Sequence, residues 1–351
     1  METRSDKRYE AIKNWITQRP RLKKLILNNR AFIVSLCNIF YPPKNDSTIT
    51  LRAPCNDTNK KRYYAYFGDG KALVGVHYGS HLLLDLQDNS LAPAIMLTGW
   101  WEPAIDVLLH SIVKPGNVVV DVGANVGYHT NLMGKLVEHY GKVFSFECNP
   151  ALVTLLKRSI FINGFSERTQ LYHAAAQDEQ GECHIEFAPQ MAGGGGMNQE
   201  FSGDKNSVVY QSSTYSDNQG KINWAVWGDY HHYQVKGVTL DSTVGQSTKH
   251  IDVLHMDAEG AEPLIILGAK RLISESKNLK IISEWSPAKS SYNDHEKKRK
   301  EAVDFLVSEK FSFYLIKNAK RDPYSSAPCL VKLQPADLFT IPHSDILMIR
   351  D

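Results

Sequence analysis

The chain has 351 residues, 42% of them hydrophobic and 22% charged, with a formal charge of +2, the composition of an ordinary globular protein of one large domain or two. No stretch reaches the roughly 18 consecutive apolar residues that a membrane-spanning helix needs, which excludes a predicted transmembrane span. Charge is uneven: residues 1–30 carry +6 and the other 321 carry −4, against the broad basic face that nucleic-acid binding requires.

Five cysteines, at 37, 55, 148, 183 and 329, are odd in number and lack CxxC or Cys/His ligand spacing. They predict buried free thiols in a reducing, cytoplasmic compartment and no zinc site. Basic residues precede the apolar run AFIVSLC at 31–37, but that run is short and far from the start, so no export signal is read. The segment is read as a helical lead-in packed on the domain, the alternative being an amphipathic segment resting at the inner membrane face.

In chain order, LVGVHYG and HLLLDLQ alternate as short strands, and EPAIDVLLHSIV has helical spacing with Pro103 in its first turn. VVVDV, at 118–122, is the first buried strand. NLMGKLVEHYG then places Leu132, Met133, Leu136, Val137 and Tyr140 on one helical face, with Gly141 as the stop. VFSFE follows as a strand, Asn149 and Pro150 cap the helix PALVTLLKRSIFING, and QLYHAAAQ is a third strand. Such alternation forces parallel strands and right-handed crossovers.

Residues 188–236 break the pattern with APQMAGGGGMNQ and a polar, aromatic stretch, read as an inserted loop or a lid over a substrate. In it, His231 and His232 lie among Trp224, Trp227, Tyr230 and Tyr233, an aromatic group that suits either a sugar ring or a small core under the loop. Alternation resumes with the strand IDVLHMD, the helix EPLIILGAKRLISES, the strand LKIISEW, a helix over EKKRKEAVDFLVSEKF, and two closing strands, FSFYLI and DILMIR. The predicted fold is a doubly wound, Rossmann-like α/β sheet, mostly parallel, with an antiparallel C-terminal edge strand and an N-terminal extension.

The glycine loop decides the ligand class. It reads Gly123, Ala124, Asn125, Val126, Gly127, so it lacks the central glycine of a dinucleotide fingerprint, and no GK[ST] follows. A ligand without phosphates fits better. Asp121, at the strand end, is placed to meet a cationic amino group, Gly123 and Gly127 let the backbone approach, and Glu147 stands where an acidic residue grips ribose hydroxyls. A nucleoside carrying an amino acid, such as S-adenosylmethionine, satisfies all three.

With GWWEPAIDVLLHSIVKPGNVVVDVGANVGYHT, FSFECNP, TLDS and IDVLHMDAEGAEPLIILGA in this order, the chain resembles the FkbM-type class I S-adenosylmethionine-dependent methyltransferases. His255 and Met256 depart from the lysine and isoleucine often found there. The resemblance implies a methyltransferase domain over 85–351, with the insertion at 188–236, behind a helical and strand extension over 1–84. It implies methyl transfer to oxygen, commonly a sugar hydroxyl of a polysaccharide, glycolipid or natural product. It implies S-adenosylmethionine as the cofactor, and Asp121, Gly123, Asn125, Gly127, Glu147 and Asn149 are the residues expected to hold it.

In-line displacement from a sulfonium requires alignment and a proton acceptor. Asp257 and Glu259, directly after IDVLHM, and Glu284, ending LKIISEW, are the acceptor-side candidates, with His255 behind them. Asp257 is the preferred catalytic residue. Asp257 and Glu284 are also candidate ligands for a divalent cation such as Mg, while Glu262 suits a helix N-terminal charge. His129 faces either the site or a helix surface. The competing functions are methylation of another small-molecule or RNA hydroxyl, a nicotinamide-dependent oxidoreductase, and a non-catalytic nucleoside-binding protein. Expected partners are a carbohydrate acceptor and no nucleic acid, and the sequence admits a homo-oligomer.

Overall fold

The structure, a computed structural model, describes residues 48–50, 64–194, 196–197, 208–215, 224–287, 294–317 and 328–350. The chain divides into two compact units, Met1–Thr48 and Ile49–Asp351. The basic N-terminal segment, Cys37, Cys55 and Gly195 lie outside the described residues.

The strands are β1 (Thr48–Thr50), β2 (Tyr64–Gly68), β3 (Lys71–Gly75), β4 (His81–Asp85), β5 (Val118–Val122), β6 (Lys142–Glu147), β7 (Thr169–His173), β8 (Ala175–Ala176), β9 (Gly181–Phe187), β10 (Gly196–Met197), β11 (Val208–Tyr215), β12 (Trp224–Val238), β13 (Val253–Met256), β14 (Lys280–Trp285), β15 (Phe311–Lys317), β16 (Cys329–Leu333) and β17 (Ser344–Arg350). The helices are α1 (Ala92–Thr98), α2 (Pro103–Ile112), α3 (Tyr128–Leu136), α4 (Pro150–Ile162), α5 (Leu240–Ser247), α6 (Glu262–Leu267), α7 (Lys270–Glu275) and α8 (His295–Ser308).

The large sheet orders its strands β1-β16-β15-β17-β14-β13-β5-β6-β7. β14, β13, β5, β6 and β7 pair in parallel, as short buried runs joined by helices must. From the β5–β13 pair the chain winds outward in both directions, so the switch point lies between these two strands. Ligands of doubly wound sheets bind there, at the carboxyl ends. One apolar core packs α1, α2 and α3 with β3 and β4 on one face of the sheet, and a second packs α5 to α8 on the other.

β17 is antiparallel to β14 and β15, as expected of the C-terminal strand, yet it is interior. Ile346, Leu347 and Met348 in succession are buried on both faces, which an edge position would not provide. The expected break at residue 84 falls at the end of β4, whose Leu82, Leu83 and Leu84 are fully buried in the core of the larger unit.

Four details depart from the sequence reading. The 188–236 segment is no plain loop: β12, 15 residues long, pairs antiparallel with β9 on one side and β11 on the other. The helix predicted over 262–276 is two, α6 and α7, interrupted where a side chain at Gly268 would stand 2.0 Å from the Gln177 carbonyl. α3 ends at Leu136 and a 3-10 turn follows, so Tyr140 is exposed, off the predicted apolar face. Cys183 is buried as predicted, whereas Cys148 and Cys329 are only half-buried. Among the described residues, no helix is long and apolar enough to cross a membrane.

Candidate active site

The carboxyl ends of β5, β6 and β13 surround a cleft whose empty space, open side included, is about 740 Å³. Its walls include Gly123, Asn125, Glu147, Asn149, Asp257 and Glu259. Ala174, Ala175, Ile185 and Phe187 close the apolar side, so β9 contributes directly to the site.

The loop after β5 is shaped by contact as much as by conformation. Gly123, Asn125 and Gly127 all have positive φ, at 80°, 53° and 91°. At Gly123 a Cβ would stand 1.7 Å from the Asp257 carbonyl oxygen, so glycine lets the two strand ends close on each other. At Gly127 it would meet Leu156 Cδ1 at 2.2 Å, which makes that glycine a packing position beneath α4 and away from the cleft wall.

Glu147 ends β6 and is buried, with each carboxylate oxygen already holding the cleft together. Oε2 accepts from the Asn125 N–H and Oε1 from the Asn149 N–H, both at 2.7 Å. Burial raises its pKa, against the pull of the Asn149, Asn125 and Cys148 N–H groups. A carboxylate has about four lone-pair directions, and with three taken by N–H groups about one remains for a ligand hydroxyl. Asn149 caps α4, its side chain accepting from Ala151 N–H at 3.0 Å, as the sequence predicted.

Asp121 is placed differently from the expectation that it meets a ligand amino group. It is fully buried and absent from the cleft wall, because Oδ1 is taken by His255 Nδ1 at 2.7 Å and Oδ2 by the Thr130 hydroxyl. Burial opposes its charge, yet His255 and Thr130 outweigh that and lower its pKa. For His255 burial again opposes the charge, and Asp121 reverses it, raising the pKa. His255 is thus a buried partner of Asp121, also off the cleft wall. His129 is buried against it, ring centroids 4.8 Å apart, and burial followed by the His255 charge lowers its pKa to about 3.

Beside the cleft, and sharing Asp257 and Glu259 with it, carboxylates gather. Ligand oxygens of Asp257, Glu259 and Glu284 all lie within 4.8 Å of one another. This oxygen-only set is of the kind that could hold a hard divalent cation. His343 Nε2 is 2.8 Å from Glu284. Two members carried no sequence signal. Desolvation, then the charges of Asp257, Asp345, Glu284 and Glu259, raises the pKa of Glu102 well above the usual range, and desolvation also raises that of Asp345. They come from the start of α2 and from β17, where Asp345 stands opposite Glu284. Glu262 begins α6 and accepts from Ala258 N–H at 2.9 Å, the helix N-terminal role predicted for it.

A sequence profile described as the Methyltransferase FkbM domain matches residues 121–306, just over half of the chain. Part of the sequence is 35% identical over 63 residues to a protein-L-isoaspartate O-methyltransferase of Hyperthermus butylicus, covering 16% of this chain and 26% of that protein. This chain therefore spans about a quarter of the length of that curated relative. Among solved structures, a SAM-dependent O-methyltransferase from Thermotoga maritima has a TM-score of 0.35 at 12% identity, covering 83% of this chain and 85% of that one. An O-methyltransferase from Bacillus cereus in complex with SAH has a TM-score of 0.35 at 11% identity, covering 71% of this chain and 80% of that one.

Proposed function

The chain belongs to the FkbM methyltransferase family, and from that premise we propose that it transfers the methyl group of S-adenosylmethionine to an oxygen, a sugar hydroxyl of a polysaccharide, glycolipid or glycosylated product. One observation carries the reading: a cleft with Glu147 at its wall opens beside a carboxylate cluster and shares Asp257 and Glu259 with it. Gly123, Asn125 and Asn149 would hold the cofactor, with Glu147 accepting from a ribose hydroxyl.

In the proposed step the acceptor oxygen attacks the methyl carbon, the C–O bond forms as the C–S bond breaks, and the electron pair leaves on sulfur as S-adenosylhomocysteine. Asp257 takes the acceptor proton. Glu259 and Glu284 orient the hydroxyl, and Asp121 with His255 fixes the strand end from behind. A divalent cation such as Mg also fits Asp257, Glu259 and Glu284, and when bound it would acidify the hydroxyl.

Calorimetric titration with S-adenosylmethionine, S-adenosylhomocysteine and NAD tests the cofactor assignment. Saturable binding of the two sulfur compounds alone is expected; binding of NAD alone would overturn it. A screen of sugar acceptors with and without chelator then tests the acceptor and the cation.

A further inference from the structure

A second buried polar cluster lies behind the glycine loop, on the face of the sheet away from α6. Asp106, in α2, is completely buried and accepts from His77 Nε2 at 2.7 Å and from the Tyr128 hydroxyl at 2.8 Å, both on Oδ2. Its Oδ1 is buried without a hydrogen bond, and His110 Nδ1 faces it at 3.1 Å while bonding the Asp106 carbonyl at 3.0 Å. His110 Nδ1 is thus the group that faces this oxygen. His77 comes from the loop after β3 and lies face to face on Trp100.

Tyr128 is the link to the cofactor cleft. It follows Gly127 directly, and both its ends are tied: its hydroxyl to Asp106, and its carbonyl to the Tyr78 hydroxyl at 2.7 Å. The Tyr78 carbonyl in turn accepts from Lys135. The loop that presents Gly123 and Asn125 to the cleft is anchored at its far end by this cluster.

We propose that Asp106, with His77 and His110, is a positioning cluster for the cofactor loop, and that cofactor affinity falls as pH rises and His110 loses its proton. The proposal rests on the reading of the cleft as an S-adenosylmethionine site. Burial opposes the charge of Asp106, but His110 and His77 outweigh it and lower its pKa; burial likewise opposes the charge of His110, and Asp106 raises its pKa. The charged pair is thus complete at low pH and is lost as pH rises through the raised value of His110. The other titratable groups facing the cluster are Tyr78 and Tyr128, both raised by burial, then Lys135, Asp121 and His129. Near neutral pH Tyr78, Tyr128 and His129 stay neutral and Asp121 stays ionised.

The experiment is calorimetric titration of the full chain with S-adenosylhomocysteine at pH 5.5 and 8.0, in the wild type, Asp106→Asn, His110→Gln and Tyr128→Phe. The wild-type Kd is expected to rise about fivefold or more across that range. Other groups near the cleft also titrate there, so the contrast between variants is decisive. Each substitution is expected to reduce the ratio of the two Kd values toward that of an uncoupled site. Tyr128→Phe removes a single hydroxyl and preserves the fold if Asp106→Asn does not. An unchanged ratio in folded Tyr128→Phe and His110→Gln would overturn the proposal and leave the cofactor assignment standing. Absence of binding by the wild type at both pH values would overturn both.

Discussion

His255 and Asp121 stand opposite each other in register on β13 and β5, 2.7 Å apart, 134 residues apart in sequence and both buried. The pair spans the switch point of the sheet, directly beneath Asp257. Removing one partner of a buried pair leaves the other charge uncompensated, at a cost of about 3 kcal/mol or more. We predict that Asp121→Asn and His255→Gln each destabilise the protein by that order and that the double variant costs clearly less than their sum. A double-mutant cycle from urea unfolding measures this, and strict additivity would show that the contact is energetically idle.

Gly123 and Gly127 look equivalent in the sequence and are not. A methyl at Gly123 meets backbone, the Asp257 carbonyl, which cannot yield without parting β5 from β13. A methyl at Gly127 meets the end of the Leu156 side chain, which can rotate, although the φ of 91° remains unfavourable. Gly123→Ala is therefore predicted to abolish S-adenosylhomocysteine binding, and Gly127→Ala chiefly to lower stability, by about 1–3 kcal/mol. Calorimetry beside thermal melting separates them; equal loss of affinity in both would contradict the division of roles.

These two glycines also show what the sequence could convey. Strand, loop and helix around them were legible because a buried parallel strand is an apolar run and positive φ favours glycine. So was Glu147, a strand-end carboxylate a fixed distance past the loop. The partner of Asp121 was not, since nothing local marks His255 as its neighbour, and a strand-end aspartate reads equally as ligand or anchor. Asp345 joins the carboxylate cluster through the strand order that inserts β17 beside β14, and Glu102 through the start of α2. The β9–β12 sheet was hidden because the sequence between its two strands begins glycine-rich and polar, and its pairing joins residues 44 to 56 apart.

Glu147 bridges the N–H groups of Asn125 and Asn149 before any ligand arrives. Glu147→Gln keeps one acceptor oxygen and puts a donor where the second N–H points; Glu147→Ala removes both acceptors. We predict weaker S-adenosylhomocysteine binding in both, by about tenfold or more in the alanine variant, the value of one or two charged hydrogen bonds. Unchanged affinity in Glu147→Ala would remove the ribose assignment.

Glu262 supplies the pH test of stability. Burial raises the pKa of its carboxyl to about 7, although Ala258 and Gly260 N–H groups pull the other way. A carboxyl with a raised folded pKa contributes stability that is complete below the unfolded value of about 4.3 and is lost as pH rises through the folded one. The wild type should therefore lose on the order of 3 kcal/mol through this group between pH 4.5 and 8. Glu262→Gln keeps an acceptor for both N–H groups and cannot ionise, so it should match the wild type near pH 5 and exceed it at pH 8. Urea unfolding of the two proteins at those pH values checks the sign: a variant less stable than the wild type at pH 8 would mean that the ionised carboxylate is bound more strongly by the α6 N-terminus than burial opposes it.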